Sequence, residues 1–190
     1  MVKKILATFV LRLLGWRIIG DMPAGIKKCV VLMAPHTSNL DFFFGWLGYT
    51  SKGIFSHFLI KKEAFNHFSG RPLRAMGGIP IDRRQSSNLV IQLTEEFRIR
   101  DEFVLTITPE GTRKLNKNWK RGYYFIAQNS GVPIVLGYLN YKNKTGGFGP
   151  VIYPSGNYEA DLALIEQFYK DKTARYPEMF NLSGNALQPK

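Results

Sequence analysis

Residues 28–34, Lys-Cys-Val-Val-Leu-Met-Ala, constrain the fold more than any other stretch of this 190-residue chain. Cys29 to Met33 are five consecutive apolar residues. A strand there has no polar face to offer solvent, so it must be covered on both sides, as strands of parallel sheets are. The segments around it fit that demand. Periodicity predicts a helix from Asn39 to about Tyr49 with Ser38 as its cap, and a strand over Gly53 to Ile60. A short helix follows over Lys61 to Phe68, then an extended piece from Gly78 to Asp82 whose Pro80 argues against a central ladder position. Leu89, Val90, Leu93 and Phe97 mark a helix over Ser87 to Arg100, followed by a strand from Phe103 to Thr108. Trp119 to Ser130 reads as a helix stopped by Gly131, Val132 to Asn140 as a strand, and Asn143 to Gly147 as a turn into a strand around Phe148 to Tyr153. A last helix spans about Ala160 to Tyr176, with a weakly patterned end after Pro177. Strands separated by helices imply an α/β fold with a largely parallel central sheet flanked by helices. Ligands of such sheets sit beyond the carboxyl ends of the strands.

The length supports one domain, and no repeat or low-complexity tract divides it. The single Cys29 has no disulfide partner within the chain and reads as a small buried hydrophobe in a reducing compartment. One Cys and three His give no zinc-type spacing. The net charge of +12, concentrated in the first hundred residues, suits an anionic partner: nucleic acid, a lipid surface or a phosphorylated substrate. The chain carries no RNP, KH or helix-turn-helix signature, which weighs against nucleic acid.

The first twenty residues narrow the choice. On a helical wheel Val2, Ile5, Leu6, Phe9, Val10, Leu13, Leu14 and Trp16 share one broad arc, with Lys4, Thr8 and Arg12 opposite. Arg12 and Arg17 cut the apolar length below the roughly 20 residues of a spanning helix. No small-residue cleavage site follows for a signal peptide. Residues 1–20 therefore read as an amphipathic helix at a membrane interface, and residues 21–190 as a single domain. A helix packed on the protein's own core is the alternative.

Two segments carry chemistry. His36 and Asp41 lie five positions apart at the end of the apolar run, His36 before a predicted helix and Asp41 in its first turn. A His with an orienting carboxylate can take the proton of an attacking hydroxyl, as in a hydrolase triad that lacks its own Ser. Asp41 is also placed to be the acidic partner of a Ser38 capping box. Further on, Glu110-Gly111-Thr112-Arg113 follows a predicted strand. Gly111 permits close backbone approach, Thr112 offers a hydroxyl, and the Arg113 fork matches phosphate oxygens. The plainer reading is a surface turn with a structural ion pair. Arg83, at the end of the Gly78 segment, would supply a second phosphate contact, and Arg74 is a further candidate. Arg113, Lys114, Lys117, Lys120 and Arg121 form a basic run that suits either water or anionic lipid. His57 and His67, set among Phe55, Phe58, Phe65 and Phe68, read as packing or surface residues.

With these motifs the chain resembles the bacterial 1-acylglycerol-3-phosphate acyltransferase (lysophosphatidate acyltransferase) family of glycerolipid acyltransferases. The His-x4-Asp motif matches His36 and Asp41, the glycine-rich second motif matches Gly78 to Arg83, Pro-Glu-Gly-Thr-Arg matches Pro109 to Arg113, and Val-Pro-Ile matches Val132 to Ile134. The four occur in family order. The resemblance implies an O-acyltransferase at the cytoplasmic face of the cell membrane, peripheral or monotopic. It would move a fatty acyl group from acyl-carrier protein or coenzyme A to a lysophospholipid hydroxyl, with no cofactor or metal. It further implies His36 as base, Asp41 as its orienting partner, and Arg83, Glu110, Gly111, Thr112 and Arg113 as the acceptor's binding residues. Thr108 replaces the usual aromatic or apolar residue, and Leu136 stands where a second Pro is common. The acceptor expected is 1-acylglycerol-3-phosphate, giving phosphatidic acid. A lyso-aminolipid or lysophosphatidylethanolamine, thioester hydrolysis, and a non-catalytic basic module on membrane or nucleic acid stand as alternatives.

Overall fold

A computed structural model describes residues 1–66, 70–82 and 86–183, with the side chains of residues 86 and 87 outside that description. Its centre is the predicted apolar strand, β2 (Lys28–Met33). Val30 and Leu32, followed by Ala34, face the main core, while Cys29 and Val31 face a second cluster with Tyr49 and Val135. Burial pushes the Cys29 thiol up to about 12, in keeping with a packing residue.

Seven strands form one sheet. In chain order they are β1 (Arg17–Ile19), β2, β3 (Ser56–Lys61), β4 (Gly78–Ile81), β5 (Phe103–Ile107), β6 (Ile134–Asn140) and β7 (Thr145–Ile152), arranged β1-β7-β6-β2-β5-β3-β4. All pairings are parallel except β6 with β7, which a short turn at Tyr141–Lys144 joins as a hairpin. Pro80 lies in β4, at the sheet edge, where its missing N–H costs no central ladder bond. Helices α4 (Ser86–Ile99), α5 (Gly122–Ser130) and α6 (Tyr158–Tyr169) supply Leu93, Phe97, Tyr123, Ile126, Leu162 and Ile165 to the main core. Helix α2 (Asn39–Lys52) and α1 (Val2–Leu13) contribute Phe44, Leu47, Ala7 and Leu11 to a separate cluster. A six-residue helix, α3 (Gly70–Ala75), leads into β4; it is too short to leave a readable period in the sequence. The expected helix over 61–68 is a 3-10 turn at Lys62–Phe65, and His67 and Phe68 lie outside the described residues. Helix α6 ends at Tyr169, seven residues short of the expected Tyr176.

The first helix also ends early. Residues 1–20 were expected as one helix, but α1 stops at Leu13 and the chain returns as strand β1. Gly15 takes a left-handed conformation at φ 77°, and the N–H of Trp16 donates to the carbonyl of Leu11 at 2.8 Å. The N–H of Gly15 donates to the carbonyl of Arg12 at 2.9 Å. Those two bonds form a Schellman cap, which satisfies the last carbonyls and turns the chain. The cap delivers Trp16 into the core, stacked on Phe44 at 4.4 Å and edge-on to Tyr141 at 5.0 Å.

The orientation of α1 is unusual for a surface helix. Ala7 and Leu11 are buried, whereas Val2, Ile5, Leu6, Phe9 and Leu13 are 60 to 76% exposed. The broad apolar arc thus points away from the protein, and a small residue and one leucine hold the helix on α2. Trp16 is the anchor of this arrangement, so Trp16→Ala should destabilise the protein by about 3–5 kcal/mol in denaturant unfolding. A loss under 1 kcal/mol would show that α1 is held elsewhere.

Candidate active site

Parallel strands carry their carboxyl ends to one edge of the sheet, and that edge gathers the candidate residues. β2 delivers His36 and its neighbour β5 delivers Glu110. β6, on the other side of β2, delivers Tyr141. After a cis Ala34–Pro35 bond the chain passes His36 and enters α2.

Ser38 caps α2 with its side chain accepting from the N–H of Leu40 at 3.1 Å, and Asp41 closes the capping box. Oδ2 of Asp41 accepts from the backbone N–H groups of Thr37 and Ser38, each at 2.8 Å. The same oxygen faces Nδ1 of His36 at 3.3 Å. Oδ1 accepts from the hydroxyl of Tyr141 at 2.6 Å. The carboxylate therefore serves the helix cap and the imidazole together, and the two readings of Asp41 in the sequence are compatible. Its side chain is 3% exposed and that of His36 is 21%, so the acid is sealed while the ring keeps an opening. An imidazole whose Nδ1 faces a carboxylate leaves its other nitrogen turned toward the opening.

Glu110 is placed as a support for the same loop. Its Oε1 accepts from the backbone N–H of His36 at 2.9 Å. Its Oε2 is buried with no hydrogen-bond partner among the described residues. Burial raises the Glu110 carboxyl from its ordinary 4.5 to about 8, with the Asp41 charge adding to the rise and the His36 N–H opposing it. The group is thus largely protonated at neutral pH. A neutral acid here adds no negative charge to the turn.

The rest of the turn opens outward. Gly111 takes φ 65°, and a Cβ there would lie 2.8 Å from the Lys120 side chain, which lies across it. Thr112 Oγ1 accepts from the N–H of Lys114 at 3.2 Å, Arg113 is exposed, and Asn116 Nδ2 donates to the Glu110 carbonyl at 2.8 Å. Arg83 lies outside the described residues, although β4, which precedes it, points its carboxyl end to the same edge. Arg74 is exposed on α3, its guanidinium 5.0 Å from the Phe65 ring. His57 sits half-buried against Phe55 and Phe103, as a packing residue does. The structure therefore brings His36, Asp41 and Glu110 together and adds Tyr141, which no motif marks. Its one sequence signal is its position directly after a strand of buried residues.

The buried Glu110 has a measurable consequence. Between about pH 4.5 and 8 the unfolded chain has lost this proton while the native state keeps it. The native state then binds more protons, so stability falls as pH rises. Denaturant unfolding should show that decline, on the order of a few kcal/mol through this group. Glu110→Gln, neutral throughout, should flatten it. An unchanged slope in the variant would exclude a protonated Glu110.

No curated protein sequence matches the chain. The fold is similar to the crystal structure of the 1-acyl-sn-glycerophosphate (LPA) acyltransferase PlsC from Thermotoga maritima. The TM-score is 0.59 at 16% identity, over 88% of this chain and 75% of that one. A family model described as Acyltransferase matches residues 18–136. That span covers the His36–Asp41 pair, the Glu110 turn and the strands that carry them, and the chain belongs to the acyltransferase family.

Proposed function

We propose that this acyltransferase moves a fatty acyl group from an acyl-carrier protein or coenzyme A thioester to the free hydroxyl of a lysophospholipid. The acceptor is 1-acylglycerol-3-phosphate and the product phosphatidic acid. The observation that carries the reading is the His36–Asp41 pair, sealed on the acid side and open on the imidazole side. The likeness to a structure described as an LPA acyltransferase supports the choice of acceptor.

The acceptor hydroxyl attacks the thioester carbonyl and gives its proton to the free nitrogen of His36. Asp41, fixed by its hydrogen bonds and facing the ring, stabilises the imidazolium that forms. The tetrahedral intermediate collapses, the carbon–sulfur bond breaks, and the imidazolium returns the proton to the departing thiolate. The new ester and the free thiol account for every atom, with no net oxidation. Arg113, exposed beside Glu110, is placed to hold the acceptor phosphate with Gly111 and Thr112, and Arg83 is assigned to the same phosphate. A protonated Glu110 admits that anion and braces the His36 backbone.

The acceptor is a lipid, and the exposed apolar arc of α1 fits the surface where it resides. No helix among the described residues is long and apolar enough to cross a membrane, so the attachment proposed is in-plane. Lys3, Lys4, Arg12 and Arg17 lie on or beside α1, where each basic residue adds about 1 kcal/mol of attraction near an anionic leaflet. The assigned place is the cytoplasmic face of the cell membrane.

Purified protein given a thioester donor and lysophosphatidate should form phosphatidic acid by mass spectrometry. His36→Ala should lower turnover by at least ~10²-fold. Product from a different lysolipid alone would move the acceptor, and undiminished turnover in His36→Ala would remove the base. Leu6→Asp and Phe9→Asp, both on the outward arc, should each weaken partition onto anionic vesicles about tenfold or more while leaving the melting temperature in place. Undiminished partition in the double variant would exclude α1 as the attachment.

A further inference from the structure

We propose that Tyr141 is a positioning residue for the His36–Asp41 pair, acting through Oδ1 of Asp41, the carboxylate oxygen that faces away from the imidazole. The inference rests on the acyl-transfer reading for its kinetic arm, and on geometry alone for the rest. Oδ2 of Asp41 is shared by Thr37 N–H, Ser38 N–H and the His36 ring. Oδ1 accepts from the Tyr141 hydroxyl. A carboxylate that must orient an imidazole gains from having both oxygens fixed, because rotation about its last bond would pull Oδ2 off Nδ1.

Tyr141 is itself held from several directions. Its ring meets Trp16 at 5.0 Å and Phe44 at 6.3 Å. Its N–H donates to the carbonyl of Thr173 at 2.9 Å. The preceding Asn140 bonds the same segment, its Oδ1 accepting from Thr173 N–H at 3.3 Å. That segment continues to Arg175, whose guanidinium lies 5.9 Å from the Tyr141 ring centre, and to Tyr176, whose N–H donates to Thr37 Oγ1 at 3.2 Å. The chain after α6 thus straps the ends of β2 and β6 together with Tyr141 beneath it. Burial and the Asp41 charge both push the Tyr141 phenol well above its ordinary value, against the opposing pull of Arg175. The hydroxyl therefore keeps its proton and remains a donor across the working range. A phenol with one proton, fixed in place and aimed at a sealed carboxylate, restrains that carboxylate's orientation.

Tyr141→Phe removes the hydroxyl and keeps the ring, so packing against Trp16 and Phe44 survives. Turnover should fall about tenfold, equivalent to about 1.4 kcal/mol of transition-state stabilisation, with the KM for lysophosphatidate within about twofold of wild type. In an Asp41→Asn background the same substitution should add little, since two residues acting as one unit are not additive. The ring resonances of His36, one of three histidines in the chain, should move in Tyr141→Phe while those of His57 stay. Ring-current effects persist with the Phe ring, so a moved His36 signal reports the lost hydroxyl. Unmoved His36 resonances, unchanged turnover, or an equal loss in the Asp41→Asn background would each overturn the proposal. If wild-type protein turns over no donor and acceptor pair, the acyl-transfer reading fails on its own. The resonance measurement then still decides whether Tyr141 acts on the pair.

Discussion

One carboxylate organises the functional edge of this protein. Asp41 closes the amino end of α2 and faces the His36 ring with the same oxygen, Oδ2. Placing a carboxyl group at 3% exposure is costly unless partners replace its water, and three hydrogen bonds do so from Thr37, Ser38 and Tyr141. The start of α2 and the orientation of the imidazole are therefore one structural event. Shifting the helix start by a residue would lose both.

The sheet order explains why so few residues are needed. β2 lies between β6 and β5, so the residues that follow these three strands arrive side by side without any loop reaching across the fold. Helix α1 enters through the same neighbourhood. Trp16, delivered by the α1 cap, touches Phe44 of α2 and Tyr141 of the β6–β7 turn, and Tyr141 touches Asp41. A short aromatic path thus joins the helix with the outward apolar arc to the acid–imidazole pair. This path fixes the distance between the outward arc and the acid–imidazole pair by packing rather than by a flexible tether.

What could be read from the sequence follows from how local each signal is. The apolar run of β2, the edge position forced by Pro80 and the stop at Gly131 depend on a few neighbouring residues, and each was legible. So was the proximity of His36 and Asp41, because a capping box brings residues 38 and 41 together within one turn. The early end of α1 was misread because hydrophobic periodicity runs through Leu14 and Trp16, whereas Gly15 alone signals the cap. β1 is three residues long and is defined by its pairing with β7, more than a hundred residues away. Tyr141 was invisible for the same reason. Its role depends on β6 lying beside β2, a contact between residues 100 apart.

The Glu110 turn shows how burial and charge divide the labour at such a site. A chain of net charge +12 favours anions near its surface, and an ionised acid beside the Gly111–Arg113 turn would work against that attraction at close range. Desolvation removes the conflict by holding Glu110 protonated near neutral pH, while its Oε1 still accepts the His36 N–H. Asp41 accepts from three donors, the N–H groups of Thr37 and Ser38 and the Tyr141 hydroxyl. The two carboxyl groups thus differ in the number of hydrogen bonds each receives, and burial raises the pKa of Glu110. Glu110 braces the His36 backbone, and Asp41 faces the His36 ring.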